Sequence, residues 1–172
     1  MLTTDAFIDS PSYTEIFRGD KENRRRMLLF FFHCNLSIIH RKTPDALRYF
    51  SYDNSSELDC FYMLIHNSDV TISTWEKVFG GILDLPFLAG FGAVQRMINV
   101  GQFVDRIEEE VMATYGCERY LVLQRVVVNP AIQGKGFGSN CLAKGLAEAD
   151  ELKLPICLST QLMRNVTFYS RL

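Results

Sequence analysis

Two spacings of hydrophobic residues divide the chain into predicted helices and strands. The first third has a helical pattern, with a short helix over 11–17 and a longer one from 22 to about 40 that ends before Pro44. From residue 47 the pattern changes to short β-rich segments separated by turn-forming residues. These segments predict an antiparallel meander with strands at 47–52, 60–65 and 70–75.

The second half of the chain alternates between helical and strand patterns. Residues 80–115 are helical, and acidic residues lie opposite an apolar face made of Val100, Phe103, Val104, Ile107 and Val111. The run 119–129 is rich in β-branched residues and predicts a central strand buried on both faces. A helix from Gly138, a buried strand over 154–160 and a short helix over 164–171 follow. We therefore expect one α/β domain covering residues 1–172.

Charge and hydropathy exclude two classes of partner. The net charge is −2, and basic residues are scattered apart from the triplet 24–26, so we expect no nucleic-acid-binding face. The most apolar stretch, 27–39, carries His33 and Asn35 and is shorter than the roughly 20 residues of a bilayer span. We expect no membrane segment and no signal peptide.

Cysteine and histidine spacing indicates neither disulfides nor a metal site. The five cysteines are dispersed and form no C-x-x-C pair, which is typical of a reducing compartment and predicts a cytoplasmic protein. His33, His40 and His66 lack the spacing of metal ligands. We predict no bound metal.

The segment from Val126 to Ser139 carries the strongest chemical signal, because it joins a predicted strand to a predicted helix. Gly134, Gly136 and Gly138 allow successive backbone N–H groups to point into one concavity, and the following helix adds its positive N-terminal end. Together these features favour binding of a phosphate or pyrophosphate. The spacing G-x-G-x-G fits neither the dinucleotide fingerprint nor the P-loop.

The same segment resembles the signature of the GNAT superfamily of N-acetyltransferases. Val128-Asn129-Pro130 followed by Gln133 to Gly138 is similar to that family's V-x-P strand end and its Q/R-x-x-G-x-G/A turn. Farther along, "RNVTFYSRL" resembles the family's N-x-x-F/A-Y helix, with Asn165 and Tyr169 in place. The resemblance is sharp over 120–172 and diffuse before it. The segment "AFIDSPSYTEIF", Trp75 after a predicted strand and the long helical insert before the key strand look similar to the branch that contains puromycin N-acetyltransferase.

The resemblance implies an acyl-CoA N-acyltransferase fold, with a central, largely antiparallel sheet flanked by helices. It also implies that acetyl-CoA is the cosubstrate and that Tyr169 is the catalytic general acid. The pantetheine arm would bind the main chain of Val126, Val127 and Val128 and contact Asn165. The turn and helix start would hold the pyrophosphate, through residues Gln133, Gly134, Lys135, Gly136, Phe137, Gly138 and Ser139.

Several points stay open at this stage. After Glu118 the key strand has no carboxylate, only Gln124 and Arg125 as polar side chains, so a water chain or a residue from the helical insert would have to act as general base. Ser159 and Gln161 occupy positions where relatives often place a glutamate and a serine.

The acceptor and the quaternary structure are also undetermined. A small-molecule primary amine is favoured as acceptor. The alternatives are a peptide or protein amine, a non-catalytic CoA-binding module, and a binder of nucleotide phosphates outside this family. Family members have edge strands before the first helix and after the tyrosine helix that this chain does not display. Uncovered edges would invite association, so a homodimer is an open expectation.

Overall fold

The computed structural model describes residues 2–51, 58–69 and 80–172. Contacts divide the chain into two compact units, the first made of Met1–Pro44 with Thr71–Ile107 and the second of Asp45–Val70 with Glu108–Leu172. The expectation of one domain stays a prediction. No helix among the described residues is long and apolar enough to cross a bilayer.

Helices build the described part of the first unit. The helices that begin in it are α1 (Leu2–Phe7), α2 (Pro11–Ile16), α3 (Lys21–Lys42), α4 (Leu85–Ala89) and α5 (Phe91–Thr114). The Asp20 carboxylate starts α3 by accepting the Asn23 N–H at 2.8 Å. Phe32 and Leu28 of α3 are fully buried in the core of this unit. The predicted helices at 11–17 and 22–40 are therefore confirmed to within two residues at each end.

The second unit contains an open mixed sheet that has four strands in the described part of the chain. These strands are β1 (Leu47–Phe50), β2 (Cys60–His66), β3 (Leu121–Val128) and β4 (Ile156–Cys157), in that spatial order. β1 with β2 and β2 with β3 are antiparallel, whereas β3 and β4 are parallel. The predicted mixed α/β class is confirmed. The meander strand expected at 70–75 lies outside the described residues.

Strand β3 departs from regular geometry halfway along. Its pairing with β2 shifts between Phe61, opposite Val127, and Met63, opposite Gln124, so β3 carries a bulge. Arg125 sits in this bulge with a φ of 52°. The first three residues of β3 are buried, but most of the remainder is only partly buried. The prediction of a strand buried on both faces is thus correct only for its first half.

Helix α6 (Phe137–Leu152) packs against one face of this sheet, and α7 (Met163–Tyr169) follows β4. The core between α6 and the sheet includes Tyr62 of β2, which is almost fully buried. Arg48 of β1 donates two hydrogen bonds to the Glu148 carboxylate of α6, at 2.7 and 2.9 Å. Both bonds come from Nη2 of Arg48, and this ion pair connects the helix to β1 at the edge of the described sheet.

Gly145 marks the closest approach of α6 to the sheet. A Cβ at this position would lie 3.1 Å from the Tyr62 hydroxyl oxygen, whereas one at Gly101 of α5 would meet nothing within 4 Å. We expect Gly145→Ala to destabilise the protein by about 1–3 kcal/mol through overpacking. Gly101→Ala should instead stabilise it by about 0.8–1 kcal/mol through helix propensity. Urea unfolding of both variants measures the difference, and equal shifts of one sign would contradict this packing.

The predicted orientation of the end of α5 is wrong. Phe103, Ile107 and Val111 are 54%, 40% and 44% exposed, whereas Glu108 and Met112 are only 8% and 6% exposed. The inward-facing residues are Glu108 and Met112, which are four residues apart on the helix. Periodicity alone could not select this face, because it places a carboxylate among apolar residues.

Candidate functional site

The two parallel strands separate shortly after they meet. Pairing joins Leu121 to Ile156 and Val122 to Cys157, and then stops. β3 continues for six more residues, so the main chain of Val126–Val128 has no strand partner on the β4 side within the described residues. The strand predicted at 154–160 is therefore paired only at 156–157. The result is a gap between β3 and the segment after β4.

The turn that follows β3 is anchored to the start of β2. The Asn129 N–H donates to the Asp59 carbonyl at 2.7 Å, and the Asn129 side-chain amide donates to the Asp59 carboxylate at 3.1 Å. The Asn129 side-chain oxygen accepts the Ala131 N–H at 3.1 Å. Asp59 is buried. These bonds fix the direction in which the chain leaves the sheet.

The three predicted glycines have two different roles. Gly134 and Gly136 adopt left-handed conformations with φ of 77° and 78°, which side chains disfavour. Gly136 is the N-cap of α6, and no side chain caps that helix start. Gly138 has an ordinary φ, but a Cβ there would lie 3.1 Å from Cγ2 of Val128. The first two glycines shape the turn, and the third allows α6 to approach β3.

The other predicted residues of the turn lie around this helix start. The exposed Gln133 side chain donates to the Val128 carbonyl at 2.9 Å, so it ties the turn to the end of β3. The Lys135 ammonium donates a hydrogen bond to the Ala131 carbonyl at 3.2 Å, which places a positive charge beside the turn. Phe137 and Ser139 are half-buried in the first turn of α6. An exposed turn with a positive helix end is suited to bind an anion.

Helix α7 brings the two remaining predicted residues near the gap. Asn165 donates its side-chain amide to the Thr160 hydroxyl at 3.1 Å, which links α7 to the segment after β4. Tyr169 packs at 5.1 Å, centroid to centroid, against Phe168. It also lines a cavity of about 160 Å³ whose other walls are Leu64, Leu123, Leu142, Gly145, Leu146, Ile156, Leu158 and Leu172.

The Tyr169 phenol is kept neutral by its surroundings. Burial raises the pKa of Tyr169 above its ordinary value, and no hydrogen bond contributes to the shift. The neutral phenol therefore persists throughout the physiological pH range. In that form it carries a proton that it can donate.

Sequence reasoning did not identify Glu108, which the structure places beside the gap. The Ser159 hydroxyl, two residues beyond the end of β4, donates to the Glu108 carboxylate at 2.9 Å. Burial first, and then the Glu108 charge, raise the pKa of the Cys157 thiol. The only sequence signal was that Glu108 lies four residues from Val104 and from Met112. Gln161, two residues beyond Ser159, is exposed.

The residues of β3 beside the gap, the glycine turn and the two α7 residues were all predicted as site residues from the sequence. Glu108 adds a carboxylate that was not predicted. All of them belong to the second unit. In the described part of the chain no group of three His, Cys, Asp or Glu side chains could hold a metal ion. No model of a known protein family matches the chain, and no curated protein matches it.

Proposed function

We propose that the chain is an acetyl-CoA-dependent N-acetyltransferase with a GNAT-like fold, which transfers acetyl directly from CoA to a primary amine. The observation that carries the proposal is the early end of the β3–β4 ladder. Within the described residues, it leaves Val126–Val128 without a strand partner on the β4 side, next to a glycine turn at a helix start. An extended arm ending in a pyrophosphate fits this combination of strand edge and anion site.

The chain's own residues suit the parts of such a ligand. The turn with Gly134 and Gly136, and the start of α6 from Phe137 to Ser139, would hold the pyrophosphate, with the Lys135 ammonium nearby. Val126–Val128 and Asn165 would hold the pantetheine arm. Gln133 supports this site by bonding the Val128 carbonyl. When bound, acetyl-CoA supplies the acetyl group as an activated thioester.

The chemistry of transfer needs a polarised carbonyl and a proton for the leaving sulfur. The Val126 N–H is the proposed donor to the thioester carbonyl, because it belongs to the part of β3 that faces the gap. Tyr169 is the proposed general acid, and burial keeps its phenol protonated. These roles require no metal.

The chemical class of the acceptor and the cellular location of the protein are part of the same proposal. A small-molecule amine is favoured over a peptide or protein amine because a net charge of −2 with scattered basic residues offers no strongly charged docking face. The cysteines are all free thiols, four of them buried, which fits a cytoplasmic enzyme. A homodimer remains a proposal as well.

Binding of acetyl-CoA provides the first test. At 100 times its dissociation constant, acetyl-CoA should stabilise the protein by about 2.7 kcal/mol, equivalent to a melting-temperature rise of roughly 5–10 °C. ATP and NAD serve as controls, since they share the diphosphate but lack the thioester arm. Stabilisation by all three alike, or by none, would contradict the proposed site.

Turnover separates an enzyme from a binding module. The protein is incubated with acetyl-CoA and a panel containing an alkyl diamine, an arylalkylamine and a lysine peptide, and the released CoA thiol is measured. We expect thiol release above hydrolysis with at least one of the small amines. Binding without release for every amine would instead support a non-catalytic CoA-binding module.

A further inference from the structure

Glu108 is a carboxylate at a buried position of α5. It is one of the few buried charged residues of the described chain, on a helix whose neighbouring Glu109 and Glu110 are exposed. Removing a carboxylate from water is costly unless partners compensate. The Ser159 hydroxyl bond at 2.9 Å supplies part of that compensation. A carboxylate at the edge of a proposed active site is a candidate general base.

The position of Glu108 relative to the gap follows from the residues after β4. Ile156 and Leu158 pack against the core between α6 and the sheet. The residues that alternate with them, Cys157 and Ser159, are directed toward Glu108 on the other face. Tyr169 belongs to the α6 side. The carboxylate and the phenol therefore lie on opposite faces of the sheet, next to the place where β3 and β4 separate.

We propose that Glu108 is the general base, that Ser159 positions its carboxylate, and that the acceptor is an alkyl amine which arrives as an ammonium ion. This inference rests on the proposed acetyl transfer and extends it to the acceptor's chemical class. A buried carboxylate attracts a cation more strongly than it attracts a neutral amine. It therefore selects acceptors that are protonated at neutral pH.

The proton inventory of the reaction balances. The ammonium gives one proton to the Glu108 carboxylate, and the resulting neutral amine attacks the thioester carbonyl. A C–N bond forms, and the C–S bond breaks with its electron pair on sulfur. The sulfur takes the Tyr169 proton, and the proton lost from the nitrogen restores the phenol. Glu108 then releases its proton to water, so the products are an amide, CoA thiol and one proton.

Two titratable groups of the second unit lie near this carboxylate. Cys157 approaches from β4 and Tyr120 from the residue before β3, and the pKa of each is raised mainly by burial and further by the Glu108 charge. Glu109, next along α5, also raises the pKa of Tyr120. Both the thiol and the phenol are neutral near pH 7, so they do not compete for the transferred proton.

Replacing Glu108 with Gln tests the base. With an alkyl amine, kcat/KM should fall about 10²–10⁴-fold at pH 7. The remaining activity should rise in proportion to the free-amine fraction as pH increases, because deprotonation would then occur in solution. Glu109→Gln is the matched control on the exposed side and should keep the parent rate and pH profile. Stabilisation by acetyl-CoA should be the same in all three proteins.

Two readouts separate a base from a structural residue. With an aromatic amine that is already neutral at pH 7, Glu108→Gln should change kcat/KM by less than about threefold, since no proton must leave before attack. Calorimetry without acetyl-CoA should show alkylammonium binding at least about tenfold weaker in Glu108→Gln, one factor of ten being 1.4 kcal/mol. Equal losses with both amines, or an unchanged alkylamine rate, would overturn the inference.

A second variant and the parent chain complete the test. Ser159→Ala keeps the carboxylate but removes its hydrogen bond, and it should lower the alkylamine rate about threefold to tenfold while shifting the acidic limb of the pH profile. If Glu108→Gln fails to fold, an unshifted profile in Ser159→Ala overturns the inference. Failure of the unsubstituted chain to release CoA with any amine overturns the proposed function, and the base with it. Turnover that is insensitive to Glu108 overturns the base alone.

Discussion

Replacing Tyr169 with Phe should lower kcat for acetyl transfer by about 10²–10⁴-fold. The change removes only the hydroxyl, so the contact with Phe168 and the cavity wall are retained. Affinity for acetyl-CoA should stay within about threefold, because the lost group acts on the leaving sulfur during reaction. Steady-state kinetics and calorimetry measure the two quantities separately.

The matched control for this change is Tyr115→Phe. Tyr115 is an exposed tyrosine of the second unit that lies outside the proposed site, and its substitution should leave kcat unaltered. Burial raises the pKa of Tyr169, so the phenol is neutral from pH 6 to pH 9 and the loss should be nearly constant across that range. A full rate in Tyr169→Phe would remove the residue from the acid role.

Replacing Gly136 with Val should abolish measurable stabilisation by acetyl-CoA. The residue has a φ of 78° at the N-cap of α6, and a β-branched side chain there would force the turn out of its left-handed conformation. Loss of that conformation would turn backbone N–H groups away from the pyrophosphate. The expected result is a thermal shift below about 1 °C where the parent chain gives roughly 5–10 °C.

Gly116→Val separates this effect from simple backbone strain. Gly116 also has a left-handed φ, 68°, and a Cβ there meets nothing within 4 Å, as at Gly136. Both substitutions should therefore cost about 1–2 kcal/mol of stability. Only the Gly136 variant should lose its response to acetyl-CoA. Equal responses in both variants would mean that the anion site lies elsewhere.

Local sequence signals predicted the elements of the second unit well. Three predicted elements appear in the structure: the strand over 119–129 as β3, the helix from Gly138 as α6 and the helix over 164–171 as α7. Each depends on short-range periodicity, and Pro130 and the glycines mark the element boundaries. The glycine turn is also a local feature. The glycines made left-handed residues possible there, but only the structure shows that Gly134 and Gly136 adopt that conformation and Gly138 does not.

Long-range pairing was much harder to predict. The apolar run 154–160 has the composition of a strand, yet only Ile156 and Cys157 pair with β3. Pairing depends on where the partner backbone runs, and the bulge at Arg125 lies in β3, not in the run itself. The gap on which the proposed function depends could therefore not be read from the run.

The chain's sequence by itself determined the positions of most described helices and strands, the glycine turn at the start of α6, and the presence of Tyr169 and Asn165 on one short helix. Only the tertiary structure decided that β3 and β4 separate after two residue pairs, and that Glu108 turns inward to meet Ser159. The physical reason is that helix and turn formation depend on neighbouring residues. The burial of a carboxylate, in contrast, depends on a partner that lies 51 residues away along the chain.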